Sequence, residues 1–114
     1  MGQARRAVVA GTFYPAKADE LAATVDAALA AASLGQSVAG LAGVIVPHAG
    51  YVYSAPVAAT AYARLVGLRG RIHRVAILGP SHFVPLEGLA VPTVASFLTP
   101  LGAAPVAGDA CARL

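Results

Sequence analysis

Very little of this chain carries charge: 8 basic and 5 acidic side chains make up 11% of its 114 residues, where about 25% is usual. The arginines at positions 5, 6, 64, 69, 71, 74 and 113 are scattered, so the net charge of +3 builds no continuous basic face. That argues against a nucleic-acid partner. A single cysteine, Cys111, excludes an intrachain disulfide, and without one nothing points to an oxidising compartment, which makes the cytoplasm the expected location. No apolar run approaches the ~18 residues of a membrane span. Arg5-Arg6 precedes only a short apolar stretch that meets Gly11 and Pro15 before reaching the length of a signal peptide, so neither a membrane span nor a leader is expected.

What the chain does have is apolar surface, 58% of residues, supplied largely by alanine. Small side chains predict thin helices that approach closely. The length suits one domain with a single core. Leu21, Val25, Leu29 and Ala32 recur every three or four residues behind Asp19 and Glu20, which predicts an amphipathic helix over about 17–32. The glycine-containing stretch 33–37 should end it. Residues 41–46 then form a short apolar run with β-branched members, stopped by Pro47, and read as a buried strand. Ser54 is a plausible N-cap and Pro56 fits a first helical turn, predicting a second helix over about 55–66. After a polar turn at 67–71, Val75 to Leu78 reads as the next buried strand.

Two histidines end these strand patterns in matched settings: Val44-Ile45-Val46-Pro47-His48 and Ile77-Leu78-Gly79-Pro80-Ser81-His82. Strand, helix and strand within about 35 residues is a βαβ unit, whose two parallel strands end at the same sheet edge. Neighbouring strands lie about 5 Å apart. Residues 34 apart in sequence can therefore bring their imidazoles to one metal ion. The alternative, in which each ring satisfies backbone groups at its own strand end, would suit a lone histidine better than this matched pair.

Farther on, residues 88–91 read as a third strand closed by Pro92. Thr99-Pro100-Leu101-Gly102 reads as a turn, 103–107 as a short apolar stretch, and Asp109 as the N-cap of a helix. With no repeat or interdomain linker, residues 1–114 are expected to be the N-terminal portion of a single, longer α/β domain. An incomplete sheet predicts an unpaired edge, poor solubility and weak or no metal retention.

Other side chains have two readings each. Tyr51 and Tyr53 follow His48 and are candidates to line a pocket, where a phenol can hydrogen-bond a substrate, or to pack on the first helix. Ser81 lacks the closing glycine of a nucleophile elbow and is better read as supporting the site through a hydroxyl hydrogen bond. Glu87 is read as a surface charge rather than a ligand. His73, set among Arg69, Arg71 and Arg74, is read as part of a solvated loop. Gly11, Phe13, Tyr14 and Pro15 are read as a corner that docks the N-terminus, with aromatic side chains available to wall a pocket.

Four strings together carry a resemblance: Ala10-Gly11-Thr12-Phe13-Tyr14-Pro15, Pro47-His48-Ala49-Gly50-Tyr51-Val52-Tyr53-Ser54, Ile77-Leu78-Gly79-Pro80-Ser81-His82 and Thr99-Pro100-Leu101-Gly102. In identity, order and spacing the chain resembles the Memo family, which includes the bacterial AmmeMemoRadiSam system protein B. The resemblance implies a three-layer α/β/α fold, with a mostly parallel or mixed sheet, related to the catalytic subunits of class III extradiol dioxygenases. It implies that His48 and His82 are metal ligands. The family's third ligand is a cysteine, and in the related dioxygenases a carboxylate, from a later part of a longer chain; Cys111 lies too early to take that role. Ala55 departs from the family's usual glycine after Tyr-Ser. The metal expected is iron or copper, with zinc also compatible with imidazole.

Three functions are then open. One is oxygen-activating redox chemistry at a mononuclear metal. Another is a non-catalytic module that binds a peptide or protein in the same cleft. The third is metal-assisted hydrolysis. The family name further implies association with radical-SAM and AMMECR-type proteins. Substrate and reaction are not given by fold relationship.

Overall fold

The computed structural model describes residues 2–32 and 38–114. The turn expected over 33–37 lies outside the described residues. Among these the chain is mixed α/β, in the order β1 (Ala4–Arg5), α1 (Ala18–Ala31), α2 (Tyr51–Tyr62), a 3₁₀ segment (Ala63–Leu68), β2 (Ser96–Thr99), β3 (Gly102–Pro105) and α3 (Gly108–Cys111). No helix among the described residues is long and apolar enough to cross a membrane.

Helix α1 forms where its apolar stripe predicts. Asp19 and Glu20 occupy its first turn, where the helix dipole favours negative charge. Lys17 Nζ donates to Glu20 Oε1 at 2.8 Å across that turn. The stripe buries Leu21 and Ala32, and Ala32 joins Ala59 and Ala63 in a core cluster flanked by Ala28 and Leu29. The close packing expected from alanine is therefore the contact of α1 with α2. Among the described residues no large side chain is fully buried, so this contact rests on backbone approach rather than on bulky burial.

The strands are not those the sequence predicts. Residues 41–46, 75–78 and 88–91 carry no strand pairing, and the expected βαβ unit is not formed. Its physical requirement is missing: a strand is defined by a partner, and no described segment pairs with these runs. The sheet instead has the order β1-β2-β3. Strand β1 runs parallel to β2, with Ala4 opposite Ser96 and Arg5 opposite Phe97. Strand β2 is antiparallel to β3, from Ser96 opposite Pro105 to Thr99 opposite Gly102. The turn predicted at 99–102 is the hairpin between them. Thr99 Oγ1 donates to Gly102 O and accepts from Leu101 N, and Gly102 takes φ +130°, which favours glycine.

The second helix begins at Tyr51, four residues earlier than predicted, because its first amide is capped from a distance. Tyr51 N donates to Phe13 O at 2.7 Å. Phe13 is presented by a tight corner in which Gly11 N donates to Tyr14 O at 2.7 Å and Gly11 takes φ +85°. Gly50, not Ser54, is the N-cap residue, and Pro56 lies inside the helix. Asp109 likewise sits in the first turn of α3, behind the N-cap Ala107. Because a Cβ on Gly11 would meet only Ala16 Cβ at an ordinary 3.5 Å, backbone strain dominates any substitution there. Gly11→Val is expected to cost about 1–3 kcal/mol and Gly11→Ala less, seen as lowered urea midpoints; unchanged midpoints for both would contradict this account of the corner.

Candidate metal centre

His48 and His82 come together without the strands that were expected to carry them. Their Nε2 atoms are 3.1 Å apart, and the ring centroids are 5.3 Å apart with planes tilted by 44°. Both side chains are exposed. Neither ring has a backbone hydrogen bond among those described; the partner of each is the other. The reading in which each ring satisfies backbone groups at its own strand end therefore has no support in the geometry.

What brings the rings together is partly local. Ser54, buried on the first turns of α2, donates its Oγ to Ala49 O at 2.7 Å and also reaches Gly50 O at 3.2 Å. This ties the stretch just after His48 back onto the helix, while Phe13 O holds Tyr51 N from the other side. The loop carrying His48 is thus clamped between the N-terminal corner and α2. On the His82 side, Ser81 Oγ donates to Val84 O and accepts from Val84 N, closing a small turn around the histidine. Phe83 packs edge-on to His82, with centroids 6.4 Å apart. Ser54 as a positioning residue was missed from the sequence, where a serine ahead of Pro56 reads as an N-cap; only its bond back to Ala49 reveals the other role.

The spacing of the two ring nitrogens can be compared with that of two ligands on one ion. Nitrogens bound at about 2.1 Å to one ion lie about 3.0–3.4 Å apart in adjacent coordination positions and about 4.2 Å apart in opposite ones. The observed 3.1 Å falls in the first range. Without a metal, one neutral imidazole can donate to the other, but two rings that both present lone pairs repel unless a proton or cation sits between them. Two nitrogens leave most of a coordination sphere to other ligands. No group of three or more His, Cys, Asp or Glu side chains able to hold an ion occurs among the described residues. Cys111 is a free, half-buried thiol on α3, and Glu87 is exposed.

The other candidates separate. Tyr51 opens α2 and is half-buried, its ring 5.6 Å from that of Tyr14 at 48°. With Gly11, Phe13, Pro15 and Val52 these two tyrosines line an open cavity of about 360 Å³. The aromatic rings of the corner line this cavity, and neither His48 nor His82 is among the residues lining it. Tyr53 is 81% exposed and is not among the residues lining that cavity. His73 lies in an exposed stretch, and its neighbour Arg74 pairs with Asp109 at 3.6 Å, an acid that Arg113 also approaches at 3.9 Å. Exposed pairs of this kind contribute little to stability.

Comparison with known proteins agrees with the motif reading. The family model described as "Memo-like protein" matches residues 5–114. A MEMO1 family protein of Pyrobaculum arsenaticum is 39% identical over 114 residues, covering 92% of this chain and 39% of the relative. One from Nitrosopumilus maritimus is 36% identical, covering 96% of this chain and 41% of the relative. Protein MEMO1 of Danio rerio is 43% identical over 98 residues, covering 85% of this chain and 31% of the relative. The chain thus spans about two fifths or less of the length of these relatives. The matched region contains both histidines, the Phe13 corner and the 99–102 hairpin, and on that match this chain belongs to the Memo-like family.

Proposed function

We propose that His48 and His82 supply two ligands of a mononuclear metal site, with iron or copper as the metal, in a protein that performs oxygen-activating redox chemistry. The observation that carries this reading is the 3.1 Å approach of two Nε2 atoms from residues 34 apart in sequence. Imidazole suits iron, copper and zinc; the redox proposal requires one of the first two, which when bound would supply the electrons for reaction with oxygen. The family resemblance adds that a third ligand, a cysteine, comes from sequence beyond the part matched here, and that the complete fold is a three-layer α/β/α sandwich.

This chain's own residues have assignable tasks. His48 and His82 hold the ion through Nε2. Ser54 and Phe13 O fix the backbone on which His48 rides. The Tyr14 and Tyr51 rings offer an apolar wall with phenol groups that can accept or donate a hydrogen bond, suited to orienting a small organic molecule or a peptide side chain. Association with radical-SAM and AMMECR-type proteins remains part of the proposal through the family name alone.

The test is titration of the purified chain with Fe(II) under anaerobic conditions and, separately, with Cu(II) and Zn(II), followed by NMR of the three histidine rings. Binding should be weak but approach one ion per chain at high metal concentration, with the His48 and His82 resonances shifting or broadening together and that of His73 unmoved. Saturation with only one of the pair responding, or no response from either, defeats the two-ligand reading. Oxygen uptake by iron- or copper-loaded but not zinc-loaded protein tests the redox part separately.

A further inference from the structure

We infer that Thr12 is a positioning residue for His48: its hydroxyl locks the N-terminal corner whose backbone holds the loop that brings His48 to His82. The chain of contacts begins at Val9 O, which accepts from Thr12 N at 3.1 Å, from Phe13 N at 2.9 Å and from Thr12 Oγ1 at 2.9 Å. Gly11 N closes the same corner onto Tyr14 O at 2.7 Å. Phe13, next to Thr12 in the chain, then reaches across to the histidine loop. Its carbonyl accepts from Tyr51 N at 2.7 Å. A Cβ added at Gly50 would stand 3.6 Å from Phe13 O and 3.7 Å from Phe13 Cα, so the two main chains lie close together there. Ala49 O is held from the other side by Ser54 Oγ at 2.7 Å. Each of the three residues that follow His48 therefore has a fixed neighbour, and for Gly50 and Tyr51 that neighbour is the backbone of Phe13.

The Thr12 hydroxyl is not needed to satisfy Val9 O. A carbonyl oxygen has two lone pairs, and the amides of Thr12 and Phe13 already occupy them. What the third bond adds is restraint: it fixes the Thr12 side chain against its own turn, and with it the backbone that presents Phe13 O. Thr12 is exposed and lies outside both α1 and α2, so it takes no part in the alanine cluster between the helices. His48 and His82 are exposed too, and the hydrogen-bond partner of each ring is the other. With neither ring anchored to backbone, their 3.1 Å approach depends on how firmly the two loops are held. Thr24 provides a contrast. Its Oγ1 donates to Glu20 O at 2.8 Å, the same bond inside a helix that carries neither histidine.

The role of Thr12 as support for a metal ligand rests on the two-histidine reading; ring proximity without metal tests Thr12, and Zn(II) titration tests that reading. The nuclear Overhauser effect (NOE) between His48 and His82 ring protons is measured in the metal-free chain and in Thr12→Val, Thr12→Ala, Thr12→Ser and Thr24→Val, and each sample is then titrated with Zn(II). Loss of one such hydrogen bond should weaken both the NOE and the Zn(II) affinity by about threefold to tenfold in Thr12→Val and Thr12→Ala. Thr12→Ser, which keeps the hydroxyl, and Thr24→Val should stay within about twofold of the parent. Helical circular dichroism should be unchanged in all four. A parent-like NOE in Thr12→Val or Thr12→Ala overturns the inference, as does an equal loss in Thr12→Ser or Thr24→Val. Loss of helical signal in Thr12→Val and Thr12→Ala also overturns it, by assigning the hydroxyl to overall stability. If Zn(II) moves neither histidine resonance of the parent, the two-ligand reading fails and the NOE series alone decides the role of Thr12.

Discussion

On the proposed two-histidine site, His82→Ala is expected to lower the affinity of the chain for a divalent metal ion by at least 100-fold, while His73→Ala leaves it within twofold. The chain has three histidines, so His73 serves as an internal control of the same chemistry at a different place. His82 has no described hydrogen bond to the backbone, and its exposed ring contributes little packing. Removing it should therefore leave the fold unchanged while halving the donor set. Changes around a metal's ligands commonly cost 10- to 100-fold; losing a ligand itself should reach the upper end or beyond. His48→Ala should match His82→Ala, and the double variant should be no worse than either, because one imidazole left on an exposed loop binds a divalent ion only weakly. Isothermal titration with helical content monitored in parallel decides the matter. Retained affinity in His82→Ala would remove the two-histidine site, whatever the activity of the complete protein.

Ala59→Asp is expected to destabilise the α1–α2 pair by about 3 kcal/mol or more, enough to unfold a marginal domain. Ala59 is 4% exposed and packs with Ala32 and Ala63, so a carboxylate there would be buried against methyl groups. Val57 lies two residues away on the same helix and is 60% exposed. Val57→Asp should stay within about 0.5 kcal/mol of the parent, as exposed substitutions do. Helical circular dichroism against urea should show an early or absent transition for the first and a near-normal one for the second. Equal behaviour of the two variants would mean that the alanine cluster is not the core.

Several features follow from short-range patterns that need no partner. The stripe Leu21, Val25, Leu29 and Ala32 sets α1 nearly to its ends, because helical hydrogen bonds are internal to the segment. The Pro100 and Gly102 pair sets the β2–β3 turn, because proline and glycine restrict or permit backbone angles wherever they stand. Four motif strings place the chain in its family. The matched settings of His48 and His82 mark them as a pair.

Other features depend on distant residues and could not be read locally. The start of α2 is moved from about residue 55 to Tyr51 by Phe13 O, a carbonyl 38 positions earlier in the chain. Residues 41–46 and 75–78 have strand composition, yet no described neighbour completes a ladder with them. Strand β1, only two residues long, exists because Ala4 and Arg5 pair with Ser96 and Phe97 from the opposite end of the chain. By itself the sequence determined which residues are fit for a metal site, a helix or a turn, since those fitnesses reside in individual side chains and short runs. Only the tertiary structure decided that His48 and His82 meet at 3.1 Å and which runs pair into a sheet, since both are relations between segments remote in sequence.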